Sequence, residues 1–89
     1  MSKEIIKEIR EVIEKKKAII GTERVVKALR QNNLKKVFVT INCPVRISKD
    51  IEYYAGLNKT EVLKIDQQNE ELGVICKKPF AISVLGFSK

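Results

Sequence analysis

The chain has no histidine and no tryptophan, and only two cysteines, two prolines and four glycines in 89 residues. Without histidine the commonest general base is missing. A cysteine–histidine zinc site is excluded, and Cys43 and Cys76 stand too far apart for a CxxC pair. A cysteine nucleophile would have no imidazole to activate it. No GxGxxG or Walker A sequence occurs, and no clustered metal-ligand spacing. The carboxylates Asp50, Glu52, Asp66, Glu70 and Glu71 each have an ordinary place on a helix or turn. These absences argue against an enzyme, a metal site, a cofactor and a small-molecule substrate. No apolar run approaches the ~20 residues that span a bilayer. The first residues, with Lys3, Glu4, Lys7 and Glu8, show no signal-peptide pattern. The expectation is a soluble cytoplasmic protein with two buried free thiols and no membrane partner.

What is present is charge. Eighteen basic side chains face eleven acidic ones, for a net charge of +7. A domain this small and basic fits nucleic-acid binding better than catalysis, although solvated lysines account for part of the excess. Hydrophobic residues at 44% and charged residues at 33% describe a globular chain. Its length suits one domain, 1–89.

Periodicity places the elements. Ile5, Ile9, Val12 and Ile13 form one helical stripe within 3–17, followed by the lysine run Lys15–Lys17. Ala18–Ile20 reads as a short strand ending at Gly21. Thr22 is the expected cap of a second helix with Val25, Val26 and Leu29 on its buried face, ended by Asn32 and Asn33. Lys36–Ile41 is β-branched and aromatic and reads as a central strand. A third helix is expected over 47–57, capped by Ser48 or a neighbour, with Tyr53 and Tyr54 packing on its face. Glu61–Ile65 reads as a strand. Asn69 is the expected cap of a fourth helix, broken before Pro79, and Ala81–Phe87 reads as a buried last strand. Strict alternation predicts an α/β domain with a sheet layered between helices, and strand-to-helix loops collected at one edge.

Nucleic-acid binding needs backbone donors, cations and an apolar group for an unstacked base. Gly21-Thr22-Glu23-Arg24 supplies a helix start. Gly21 serves equally as a tight turn or as a place where RNA approaches the backbone. Arg24, Lys27, Arg46, Lys77 and Lys78 supply cations, and count only if they converge. Pro79-Phe80 supplies the apolar contact, with core packing as the alternative for Phe80.

Several segments, in order, carry a resemblance: Gly21 to Gln31, Asn42-Cys43-Pro44, Asp50 to Ala55, Glu71-Leu72-Gly73 and Lys78-Pro79-Phe80. Together they span about residues 3 to 88. The chain resembles the archaeal and eukaryotic large-subunit ribosomal protein thirty family, within the kink-turn RNA-binding ribosomal protein superfamily. That resemblance implies a three-layer α/β/α sandwich with a central four-stranded mixed sheet. It implies kink-turn ribosomal RNA and neighbouring ribosomal proteins as partners. The implied RNA contacts are Gly21, Thr22, Glu23 and Arg24 in one loop, Asn42 and Pro44 in a second, and Lys78, Pro79 and Phe80 in a third. Asn69 and Glu70 at the fourth helix complete the set. A kink-turn binder of another ribonucleoprotein, or a protein adaptor of the same fold, remains as the alternative. Two positions depart from the family pattern. Glu23 stands where a basic residue is usual, and Lys77 stands where glycine usually precedes Lys-Pro-Phe.

Overall fold

Helices and strands alternate along the residues described by the computed structural model, 2–89. Met1, the first residue of the expected domain, lies outside them. The elements are α1 (Ser2–Glu14), β1 (Ala18–Ile20), α2 (Thr22–Arg30), β2 (Leu34–Val39), α3 (Val45–Asn58), β3 (Glu61–Lys64), α4 (Asn69–Ile75) and β4 (Val84–Ser88). The sheet order is β1-β4-β2-β3. β2 and β3 are parallel, and β4 runs antiparallel to both β1 and β2, so the four-stranded sheet is mixed as expected.

Strand alternation builds the three layers. Val37 and Val39 of β2 face one side, and Phe38 between them faces the other. Val25, Ala28 and Leu29 of α2, with Ile51 and Ala55 of α3, close over Val37, Val39 and Val84. Ile9 of α1, with Leu72 and Cys76 of α4, closes over Phe38, Ile82 and Leu85. A register shift between Leu34 and Lys36 turns Leu34 into the α2–α3 core.

Each of the four helices ends in the same way. The residues after them, Lys16, Asn32, Lys59 and Lys77, have φ of 56°, 54°, 55° and 58°. In each case that residue donates its N–H three residues back, and the next residue donates five back. Lys77 bonds Val74 O at 2.9 Å and Lys78 bonds Gly73 O at 2.9 Å; Lys16 bonds Ile13 O and Lys17 bonds Val12 O. This is the Schellman pattern, normally closed by glycine. Lys77 therefore takes the left-handed turn that a glycine would otherwise supply. Holding a side chain at positive φ costs about 1 kcal/mol, so Lys77→Gly is expected to raise stability by about that much, read as a higher denaturant midpoint. A lowered midpoint would mean that the lysine stem contributes more packing than its backbone costs.

The boundaries differ from the sequence expectations at turns. α1 stops at Glu14 rather than Lys17, because Lys16 turns left-handed. β2 starts at Leu34 and stops at Val39. Beyond it Thr40 N–H turns to Ser83 O and Ile41 N–H to Gln67 O, so Ile41 leaves the strand and is 50% exposed. β4 starts at Val84, because Ile82 N–H is drawn to Asn69 O. The caps also move. Gly21, not Thr22, precedes α2; Pro44, not Ser48, precedes α3; Gln68, not Asn69, precedes α4. Tyr54 packs against the core, whereas Tyr53 is 64% exposed and only leans on Tyr54 edge-to-face. Cys76 is buried, but Cys43 is only half-buried. Burial pushes the Cys76 thiol up to about 11 and raises Cys43 as well, against the opposing pull of Lys64 on Cys43.

Candidate nucleic-acid interface

One row of paired residues crosses the whole sheet: Ile20 with Leu85, Leu85 with Phe38, and Phe38 with Leu63. Just beyond this row β1, β2 and β3 leave the sheet and β4 enters it. The loops at Gly21, at 40–44, at 65–68 and at 78–83 therefore emerge at the same end. Topology alone brings these four segments together.

Side chains and backbone then tie three of them. Asn69 N–H donates to Asn42 Oδ1 at 2.8 Å, and Asn42 Nδ2 donates back to Asn69 Oδ1 at 3.1 Å. Ile82 N–H donates to Asn69 O at 3.0 Å. Glu71 Oε1 accepts from Gln68 N–H at 3.3 Å, closing the first turn of α4. Thr40, fully buried, donates its hydroxyl to Ser83 O at 3.3 Å. Asn42 is exposed, so its orientation rests on this exchange with Asn69 rather than on packing.

Gly73 sets the height of the loop that carries Phe80. A Cβ on Gly73 would lie 2.1 Å from the Phe80 carbonyl oxygen. The loop backbone thus rests directly on α4, and Phe80 is 54% exposed above it. This decides between the two sequence readings of Phe80: it is a surface residue of a braced loop. Pro79 and Lys78 beside it are also exposed. Gly21 has φ 107° and ψ 141°, a conformation open essentially to glycine alone. Nothing lies within 4 Å of where its Cβ would be, so the backbone there is open as well as tightly turned.

The remaining predicted residues divide. Thr22, Glu23 and Arg24 form the first turn of α2; Glu23 and Arg24 are exposed, and neither has an ion-pair partner among the described residues. Pro44 and Arg46 flank the start of α3 and are exposed, as is Glu70 on α4. Lys27 lies just under one helical turn beyond Arg24, and the two line one groove with Ile19, Gln31 and Asn33. Lys77 lines a groove between α1 and α4 with Arg10 and Glu14. Lys77 is thereby set apart from the loop end, whereas Lys27 stays beside Arg24. Sequence reasoning missed Ile41 and Val45, apolar residues 50% and 67% exposed beside Asn42. Strand patterning hid Ile41, and Val45 fell before the expected start of the third helix at 47, whereas α3 begins at Val45 itself.

Comparison with known proteins gives one family. The ribosomal protein L7Ae/L30e/S12e/Gadd45 family matches residues 3–89. A Candida albicans protein named large ribosomal subunit protein eL30 is 41% identical over 69 residues, which are 78% of this chain and 65% of that protein. The chain thus spans just under two thirds of that relative's length. A Methanococcus vannielii protein of the same name is 33% identical over 84 residues, 94% of this chain and 80% of that protein. Among solved structures, a Giardia lamblia 15.5kD RNA binding protein superposes with a TM-score of 0.89 at 15% identity, covering 99% of this chain and 73% of that one. A Bacillus halodurans protein of unknown function superposes at 0.82 with 18% identity, covering 91% of this chain and 80% of that one. Both show the same fold.

Proposed function

Because the chain belongs to the ribosomal protein L7Ae/L30e/S12e/Gadd45 family, we propose that it is a structural, non-catalytic protein of the large ribosomal subunit in the cytoplasm. It holds a kink-turn of ribosomal RNA with the loops gathered beyond the end of its sheet, and it contacts neighbouring ribosomal proteins there. The observation that carries this reading is the interlocked pair Asn42 and Asn69 beside a braced, exposed Phe80. Backbone and amide donors, a nearby Arg24 and a planar ring are what a sharply bent RNA with an extruded base requires. The eL30 names of the relatives support the ribosomal setting.

The test compares a kink-turn RNA with a plain duplex of equal length, titrated at several salt concentrations. The kink-turn is expected to bind more tightly, with about 0.7–0.9 counterions released per phosphate contact. Equal affinity for both would leave only generic electrostatics and sink the specific reading.

Glu23 supports the adaptor as a second reading, since a carboxylate repels phosphate. Glu23→Lys is expected to tighten kink-turn binding by up to about 1–2 kcal/mol where the side chain lies near the RNA backbone, and by nearly nothing where it points to solvent. A loss of affinity would show instead that the carboxylate accepts a hydrogen bond from a base.

A further inference from the structure

The excess positive charge does not sit mainly at the loop end. There Arg24, Lys27, Arg46, Lys49, Lys64 and Lys78 stand against Glu23, Glu52, Asp66, Glu70 and Glu71, an excess of only one. The opposite end of the sheet is different. Ala18 pairs with Phe87, Phe87 with Lys36, and Lys36 with Glu61 in the last row that crosses all four strands at the end away from the loops. The chain segments beyond that row meet: Ser88 N–H donates to Lys17 O at 2.9 Å, and Lys89 N–H donates to Asn33 O at 3.1 Å. This joins the α1–β1 turn to the α2–β2 turn through the end of β4.

Exposed cations crowd these turns: Lys15, Lys16, Lys17, Arg30 and Lys35. None has a carboxylate within 4 Å among the described residues. Of the nearby acids, Glu11 stands one turn before Lys15 with no ion pair within 4 Å among the described residues, and the others are turned elsewhere. Glu8 and Glu61 both hold Lys36, and Glu14 lines the groove towards α4. Three helices, α1, α2 and α3, point their C-termini at this end and contribute about half a negative charge each. Five cations exceed what three helix ends and Glu11 neutralise, and only two of them, Arg30 and Lys35, rest on rings, those of Tyr54 and Phe87. Capping alone therefore does not account for them.

We infer that this pole is a second nucleic-acid surface, which binds the phosphate backbone of an RNA duplex while the loop end holds the kink-turn. The chemistry of the patch selects the partner. Its polar side chains besides the cations are the amides Gln31, Asn32 and Asn33, all exposed. Amides and cations are the groups that position a phosphate backbone. A protein interface centres on apolar or aromatic residues and is poor in lysine. The two turns themselves carry no large exposed apolar side chain among the described residues; Leu57, in the last turn of α3, is the exposed apolar residue at this end. The inference rests on the proposed function only for what occupies the loop end. With both surfaces engaged, the protein would bridge two RNA segments rather than brace one.

The experiment uses the full chain, a labelled RNA duplex without a kink-turn, and one equivalent of unlabelled kink-turn RNA. The duplex is expected to bind in the presence of the kink-turn, giving a three-component complex. The triple variant Lys15→Gln/Lys17→Gln/Lys35→Gln is expected to lose at least tenfold in duplex affinity. Its dependence of log K on log salt should be shallower by about two to three units. Its kink-turn affinity and melting temperature should match the parent chain. Displacement of the duplex by one equivalent of kink-turn would overturn the proposal, because it would mean a single shared surface. Unchanged duplex affinity of the triple variant would overturn it too. Displacement of the duplex by polyglutamate of equal total charge at equal concentration would reassign the pole to an acidic protein segment. If the kink-turn proves no better than a duplex, the proposed function fails, and the triple variant still decides this inference.

Discussion

Gly73→Ala is expected to destabilise the fold by about 3 kcal/mol, the upper part of the usual range for overpacking. The added methyl would meet the Phe80 oxygen at 2.1 Å and the Phe80 carbonyl carbon at 3.1 Å. Both are backbone atoms, so no flexible side-chain tip can swing away. The loop cannot rise freely either. Lys78 N–H holds it to Gly73 O at 2.9 Å, and Ile82 N–H holds it to Asn69 O at 3.0 Å. For a domain of this size the melting temperature should fall by about 12–24 °C. A fall under about 4 °C would mean that the loop lifts off α4 at little cost. The glycine of Glu71-Leu72-Gly73 thus has a physical reason: it lets the loop carbonyl sit on the helix.

Phe80→Ala is expected to act on binding and spare the fold. The ring is 54% exposed, so little core is lost with it. Kink-turn affinity should drop by about 1–3 kcal/mol, the range for a base stacked on an aromatic ring. The melting temperature should stay nearly unchanged. Loss of about 3–5 kcal/mol of stability, the cost of truncating a buried phenylalanine, with intact affinity of the folded fraction, would return Phe80 to the core. The two variants are complementary, because Gly73 and Phe80 touch. One removes the seat of the loop, and the other removes what the loop presents.

The order of elements was legible because helical and strand periods are local. Ile5, Ile9 and Val12 mark α1 within three turns, and Val37-Phe38-Val39 marks β2 within three residues. The element ends were not legible. Helix stops are read from glycine, and here Lys16, Asn32, Lys59 and Lys77 take the left-handed turn instead. Lysine carries no local signal for that conformation. What places it there is the chain beyond, as where Ser88 N–H fastens Lys17 O after α1. Ile41 shows the same limit. Its β-branched side chain extends the strand pattern, yet a bond from its N–H to Gln67 O pulls it out of register.

The residue types of the candidate site were readable one by one, and their grouping was not. Gly21, Asn42, Asn69 and Phe80 stand in four separate segments of the sequence. Only the crossing of β4 between β1 and β2 sets their loops at one end. Lys77, by contrast, is turned into the groove between α1 and α4, although it is the chain neighbour of Lys78.

The sequence by itself determined the composition of the answer: no imidazole chemistry, a strong positive balance, alternating α and β segments and the family those segments match. The tertiary structure alone decided where the charge lies, that Phe80 is surface, and that Asn42 and Asn69 hold each other across 27 residues. Composition and period are sums over near neighbours, so one dimension carries them. Convergence, exposure and the balance of charge at each pole depend on contacts between distant residues, and those exist only after the sheet has ordered its strands.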